Sequence, residues 1–158
     1  MYYNNISEKF WKKKKVFVTG HTGFKGSWLT LLLKSFDANV VGYALNPISK
    51  PNFFDNLGLS KFLKLDYREN ILNLKKLKYV IKKTKPSVVF HLAAQSSVLV
   101  SYQKPKETIE VNVVCTANFL EAIKKVNSIK SAIIVTTDKV YLNLEKKKKF
   151  KENSRLGG

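Results

Sequence analysis

Lys15–Phe36 reads KVFVTG, HTGFKG, SWLTLLLKSF, and this stretch decides the fold. Val16, Phe17 and Val18 make a short β-branched and aromatic run, the pattern of a strand buried on both faces. Gly20, Gly23 and Gly26 follow at three-residue spacing, and Trp28, Leu29, Leu32, Leu33 and Phe36 then recur at helical spacing. Strand, glycine turn and helix in that order form a phosphate cradle. One glycine permits the tight turn, one admits a ligand close to the backbone, and one lets the helix pack on the strand. The helix start adds free N–H groups and partial positive charge, which stabilise an anion. The spacing is GxxGxxG rather than GxGxxG, and a purely structural turn is the competing reading.

Outward from this unit, strands and helices alternate. Asn39–Tyr43 reads as a second strand and Ala44–Gly58, with Pro47, Pro51 and Gly58, as a loop. Phe62–Leu65 reads as a third strand ending at Asp66, and Ile71–Lys83 as a helix closed by Pro86 and Ser87. Val88–Leu92 is the fourth strand, Pro105–Val126 a long helix and Ser131–Thr136 the fifth strand. Residues 1–14 form a short arm, helical near Ile6–Trp11, and the polar remainder from Asp138 carries a lysine block at Lys146–Lys149. Five buried strands alternating with helices imply an α/β fold: a doubly wound parallel sheet with helices on both faces. Ligands of such sheets lie beyond the carboxyl ends of the strands. Gly20–Lys25, Asn46, Asp66, Ala93–Gln95 and Thr136–Lys139 all fall there.

Composition narrows the function classes. The 158 residues, 44% hydrophobic, suit one globular domain. No apolar run reaches the ~20 residues of a membrane span, and the lysine-rich start has no secretory pattern. A lone Cys115 excludes an internal disulfide framework and fits a reducing cytoplasm, the expected localisation. The two histidines lie far apart, so no metal site is expected. The net charge of +18 comes almost entirely from dispersed lysines, with Arg68 and Arg155 the only arginines. That pattern reads as a solvated surface rather than a specific nucleic-acid partner.

An NAD site usually sets an acid about twenty residues past the glycines for the ribose hydroxyls. Asn46 occupies that region with Lys50 nearby, so spacing alone does not choose between NAD and NADP. Asp66 reads equally as an acceptor for an adenine amine and as a loop acid or helix cap. Thr136, Thr137, Asp138, Lys139 and Tyr141 place hydroxyls, a carboxylate, an amine and a phenol on the same rim, either for proton transfer or as a polar loop.

VFVTGHTGFKGSWL, GYALNP, VVFHLAAQS, TTDKVY and FKENSRLGG, in this order, resemble the extended short-chain dehydrogenase/reductase superfamily. Within it they look most like the CDP-glucose 4,6-dehydratase family, and the Asp138–Lys139 pair favours that branch. The resemblance implies a Rossmann-like domain over residues 15–158 with NAD as cofactor. It also implies dehydration of a nucleotide sugar by C4 oxidation, loss of water across C5–C6 and hydride return to C6. Gly20, Thr22, Gly23, Phe24, Lys25 and Gly26 would hold the pyrophosphate, and Asp66 the adenine. Asn46 stays with the cofactor set, and Ala93, Ala94 and Gln95 would line the nicotinamide side. Thr137 would bond the sugar near its 4-hydroxyl, Asp138 would protonate the departing 6-hydroxyl, and Lys139 would assist proton removal at C5. Full-length relatives are expected to be homodimers through the Pro105–Val126 helix. The family's catalytic Tyr-x-x-x-Lys, in a YSxSK context, is expected just beyond RLGG. The chain therefore reads as an N-terminal portion, with the sheet incomplete at its C-terminus, the sugar-nucleotide domain missing and no activity by itself. An epimerase or reductase of the same superfamily and a non-catalytic NAD-binding module are the alternatives.

Overall fold

The computed structural model describes residues 4–144 and 149–157. In chain order the elements are α1 (Asn4–Trp11), β1 (Lys15–Thr19), α2 (Phe24–Ser35), β2 (Asn39–Ala44) and α3 (Phe53–Asn56). After a 3₁₀ turn at Leu59–Phe62 come β3 (Leu65–Arg68), α4 (Leu74–Thr84) and β4 (Val88–His91). Then follow α5 (Val98–Gln103), α6 (Pro105–Ile109), a π turn at Glu110–Val114, α7 (Cys115–Ile123) and β5 (Ser131–Ile134). A 3₁₀ turn covers Asp138–Val140. Most of the lysine block lies outside the described residues.

All four strand pairings are parallel, in the order β3-β2-β1-β4-β5, so every carboxyl end lies on one rim. Alternation along β1 splits the core in two. Val16 and Val18 face one layer with Val40, Val88, Leu33 and Ala38, against which Trp11 and Leu29 pack. Phe17 faces the other with Val41, Tyr43 and Val89, covered by Leu77, Val80 and Ile81 of α4 and by Phe119 and Ala122 of α7. The doubly wound sheet read from the sequence is the observed one.

Several local expectations are corrected. The third strand lies at Leu65–Arg68, three residues later than Phe62–Leu65, because Leu59–Phe62 winds into the 3₁₀ turn and buries Leu59. Asp66 is therefore inside the strand. α4 begins at Leu74, where the Asn73 side chain accepts from the Lys76 N–H; Ile71 is buried ahead of the helix. The Ala44–Gly58 loop contains α3, capped by Asn52. The long helix is interrupted by the π turn and ends at Ile123, and α5, which the sequence reading lacked, precedes it. Not all five strands are buried: β1, β2 and β4 are central, whereas β3 and β5 are edges with largely exposed or half-buried residues. Among the described residues no helix is long and apolar enough to cross a membrane.

The turn after β1 is set by close packing. Gly20 has φ +71°, and a Cβ there would lie 2.7 Å from the Ala93 nitrogen. A Cβ on Gly26 would lie 2.1 Å from the Gly20 carbonyl oxygen, so only glycine lets α2 approach the turn. On Gly23 a Cβ would meet only the Gly20 oxygen, at 3.3 Å. We expect Gly26→Ala to cost about 3 kcal/mol or more and Gly23→Ala far less, measured by urea denaturation. Equal losses would contradict the packing order.

Candidate functional site

The carboxyl rim opens into a cavity of about 780 Å³, within the size range of small-molecule sites. Gly20, Thr22, Gly23 and Phe24 line its floor, Ala44–Ser49 the side beyond β2, and Glu69–Leu72 the end beyond β3. Leu92, Ala93, Ala94 and Ser96 close the side beyond β4, with Glu107, Glu110 and Val111 above. Of the residues expected to bind a cofactor, Gly20, Thr22, Gly23, Phe24, Asn46, Ala93 and Ala94 line this cavity.

The remaining candidates sit elsewhere. Gly26 is buried beneath the turn, and Lys25 is exposed outside the lining. The Asp66 carboxylate takes the His21 ring at 2.9 Å on one oxygen and the Arg68 guanidinium at 2.7 Å on the other, and Asp66 is outside the lining. Gln95 is held by its own neighbours and the helices above. Thr137, just before the 3₁₀ turn that follows β5, and Lys139 within it are exposed on the same rim but outside the lining. Thr137 caps that turn by accepting from the Lys139 N–H. The turn includes Asp138, whose side chain is outside the described residues.

The cradle suits a dinucleotide diphosphate. Gly23 is the N-cap of α2 in extended conformation, and no side chain caps the helix there. Its first-turn N–H groups therefore lack a side-chain acceptor and point toward the rim. Gly23 lies exposed at the cavity floor, where a side chain would occupy the space of the bound group. Thr22 donates to the Leu45 carbonyl at 2.9 Å and ties the turn to the end of β2.

Two buried histidines brace this rim. His21 Nε2–H donates to Asp66, and Gly42 of β2 leaves room for the ring: a Cβ there would come within 2.6 Å of it. Its Nδ1 is buried without a well-formed hydrogen bond. His91 accepts from Thr19 at 2.8 Å on Nδ1 and stands 3.2 Å from Thr116 Oγ1 on Nε2. Thr19 can donate there because its oxygen already accepts from the Leu92 and Ala93 N–H groups. Thr116 donates onward to the Asn112 carbonyl. The Asn112 side chain grips Gln95 twice, accepting from its N–H at 2.8 Å and donating to its carbonyl at 2.9 Å. Asn112 lies in the π turn, which shifts the helix register and turns this side chain onto the Ala93–Gln95 loop. The roles of His21, Gly42 and Asn112 are not legible in the sequence because they rest on contacts between distant segments. Glu69 was missed because the third strand was placed too early, which hid that Glu69 follows its carboxyl end.

A sequence model of GDP-mannose 4,6-dehydratase matches residues 17–157. The chain belongs to the GDP-mannose 4,6-dehydratase family. It is 43% identical over 153 residues to the CDP-glucose 4,6-dehydratase of Salmonella typhimurium, covering 97% of this chain and 42% of that protein. The chain thus spans less than half the length of the curated relatives it matches. The fold of this family member superposes on UDP-N-acetylglucosamine 4-epimerase of Methanobrevibacter ruminantium with TM-score 0.75 and 27% identity, over 92% of this chain and 44% of that one. UDP-glucose 4-epimerase of Bifidobacterium longum, solved with NAD+ and UDP, gives TM-score 0.78 over 92% and 43%. At 22% identity, that second likeness is one of fold.

Burial lowers the pKa of His21 to about 4, against the opposing pull of Asp66, and burial lowers His91 to about 4. Both rings are neutral in the folded chain, whereas the unfolded chain protonates them below about pH 6.5. Their stabilisation is complete above pH 6.5 and is lost as the pH falls toward 4. Each tenfold difference in proton affinity is worth about 1.4 kcal/mol, so several kcal/mol are at stake. Denaturant titrations at pH 7.5, 5.5 and 4.5 should show a steady fall, and His91→Gln should cut it by about half, leaving the His21 share. A fall of the same size in His91→Gln would contradict this.

Proposed function

We propose that this chain is the cofactor-binding part of a nucleotide-sugar 4,6-dehydratase that binds NAD and acts on CDP-glucose. The observation that carries the cofactor reading is the cradle. Gly20 and Gly26 are fixed by backbone contact, while Gly23 opens an uncapped helix start into the cavity. The likeness to the CDP-glucose 4,6-dehydratase of Salmonella typhimurium supports the substrate reading. The NAD-binding domain runs over residues 15–158, with residues 1–14 as an arm.

In this reading the turn from Gly20 to Gly26 holds the diphosphate, and Ala93 and Ala94 flank the nicotinamide end. Bound NAD supplies the hydride acceptor and donor. Thr137 hydrogen-bonds the sugar beside the 4-hydroxyl, which orients C4. Lys139 assists proton removal at C5, and Asp138 gives a proton to the 6-hydroxyl as it leaves. The protein works in the cytoplasm, with a nucleotide sugar as its partner molecule and no specific nucleic acid or membrane partner. Ile109, Val113 and Leu120 are exposed along α6, the π turn and α7, which supports a homodimer through this segment in the whole protein. The 158 residues alone bind cofactor without turnover.

Calorimetric titration of this chain with NAD+ tests the cofactor part. Binding is expected, with Gly23→Ala weakening it at least about tenfold while the denaturation midpoint stays close to wild type. Undiminished binding in Gly23→Ala would remove the cradle. For the substrate part, the whole protein should convert CDP-glucose to a 4-keto-6-deoxy product faster than dTDP-glucose or GDP-mannose. Lys139→Ala should lower kcat about 100-fold or more.

A further inference from the structure

The cavity runs against the charge of the chain. Lysine and arginine number 29 and acids 11, yet among the described residues the lining holds Glu69, Glu107 and Glu110 and no lysine or arginine. Lys25 and Lys50, both near the rim in sequence, are exposed outside it. Arg68 is also withdrawn: its guanidinium is bound to Asp66 at 2.7 Å and lies over the Phe54 ring at 4.7 Å.

Glu69 stands where a dinucleotide site needs an acid. The usual place is the carboxyl end of the second strand, to receive the ribose hydroxyls. Here that end reads Leu45-Asn46, with no acid. Glu69 follows β3 directly, and its N–H donates to the Ala44 carbonyl at 2.9 Å, which sets it beside the last residue of β2. The carboxylate is near enough to Tyr43 of β2 to help burial push that phenol up to about 12. Among the described residues it forms one ion pair, with Lys76 at 3.9 Å, which is loose and partly exposed.

Resting on the cofactor reading above, we infer that Glu69 is the specificity residue of this site, supplying from β3 the acid absent from β2 and excluding a 2′-phosphorylated dinucleotide. A ribose with both hydroxyls free donates to the Glu69 carboxylate, a charge-assisted bond. A 2′-phosphate at the same place sets dianion against carboxylate. No cation of the lining offsets that repulsion, and Arg68 is already bound. Asn46 remains beside it as a neutral hydrogen-bonding group.

The test is calorimetric titration of the whole 158-residue chain with NAD+ and with NADP+, in wild type, Glu69→Gln and Glu121→Gln. The last removes one negative charge from a residue that pairs with Lys78 and lies outside the cavity lining. Circular dichroism confirms the fold of each variant. Wild type should prefer NAD+ at least about tenfold, like charges in contact costing several kcal/mol. Glu69→Gln should tighten NADP+ about tenfold and weaken NAD+ only a few-fold, because the amide carbonyl still accepts from a hydroxyl. Glu121→Gln should keep the wild-type ratio. An unchanged ratio in Glu69→Gln, the same narrowing in Glu121→Gln, or equal binding of both dinucleotides by wild type would overturn the assignment and leave the cofactor reading standing. Binding of neither by wild type would sink both.

Discussion

The contact between Gly26 and the Gly20 carbonyl sets the geometry of the whole rim. No side chain fits between them, so α2 starts directly against the turn that ends β1. That approach aims the helix N-terminus across the carboxyl ends of the strands. It also brings Gly20 against the Ala93 backbone, joining the loops that follow β1 and β4. The cavity is the space left in front of this contact. Its floor is the glycine turn and the start of α2, and among the described residues no lysine lines it.

Polar groups inside the sheet extend that rigidity sideways. His21 joins the glycine turn to β3 through Asp66, and His91 joins β1 and β4 to α7 through Thr19 and Thr116. Asn112 adds the loop after β4 to the π turn. Each bond in the second chain has its donor fixed by the one before, so the network favours a single arrangement. Both rings stay neutral because burial outweighs any partner. The same burial keeps Cys115 as a thiol, its pKa raised to about 11 by burial and by Glu110.

Charge is then sorted by position. Among the described residues the lysines lie outside the cavity lining, while Glu69, Glu107 and Glu110 line it. A helix start attracts a diphosphate locally and falls off within a turn. On the proposed reading, the carboxylates at other points of the lining would select which further groups a ligand can carry. On that proposal, binding and selection reside in different parts of the same cavity, one made by backbone and the other by side chains.

Residue order alone is enough for the parallel α/β sheet, the glycine turn and most of the cavity floor. These follow from local pattern: continuous apolar runs for β1, β2 and β4, helical spacing in α2, and glycines where a turn must be tight. It misplaced β3 because Phe62–Leu65 is as apolar as a strand, and only packing shows Leu59–Phe62 wound into a 3₁₀ turn. It took both edge strands as buried, since edge position is a property of the assembled sheet. It could not separate Asp66 as ligand from Asp66 as brace; the pairing with His21, 45 residues away, is a tertiary fact. Glu69, Asn112 and the withdrawal of Arg68 were decided by the tertiary structure alone. Each depends on which distant backbone lies alongside, and residue spacing carries no record of that.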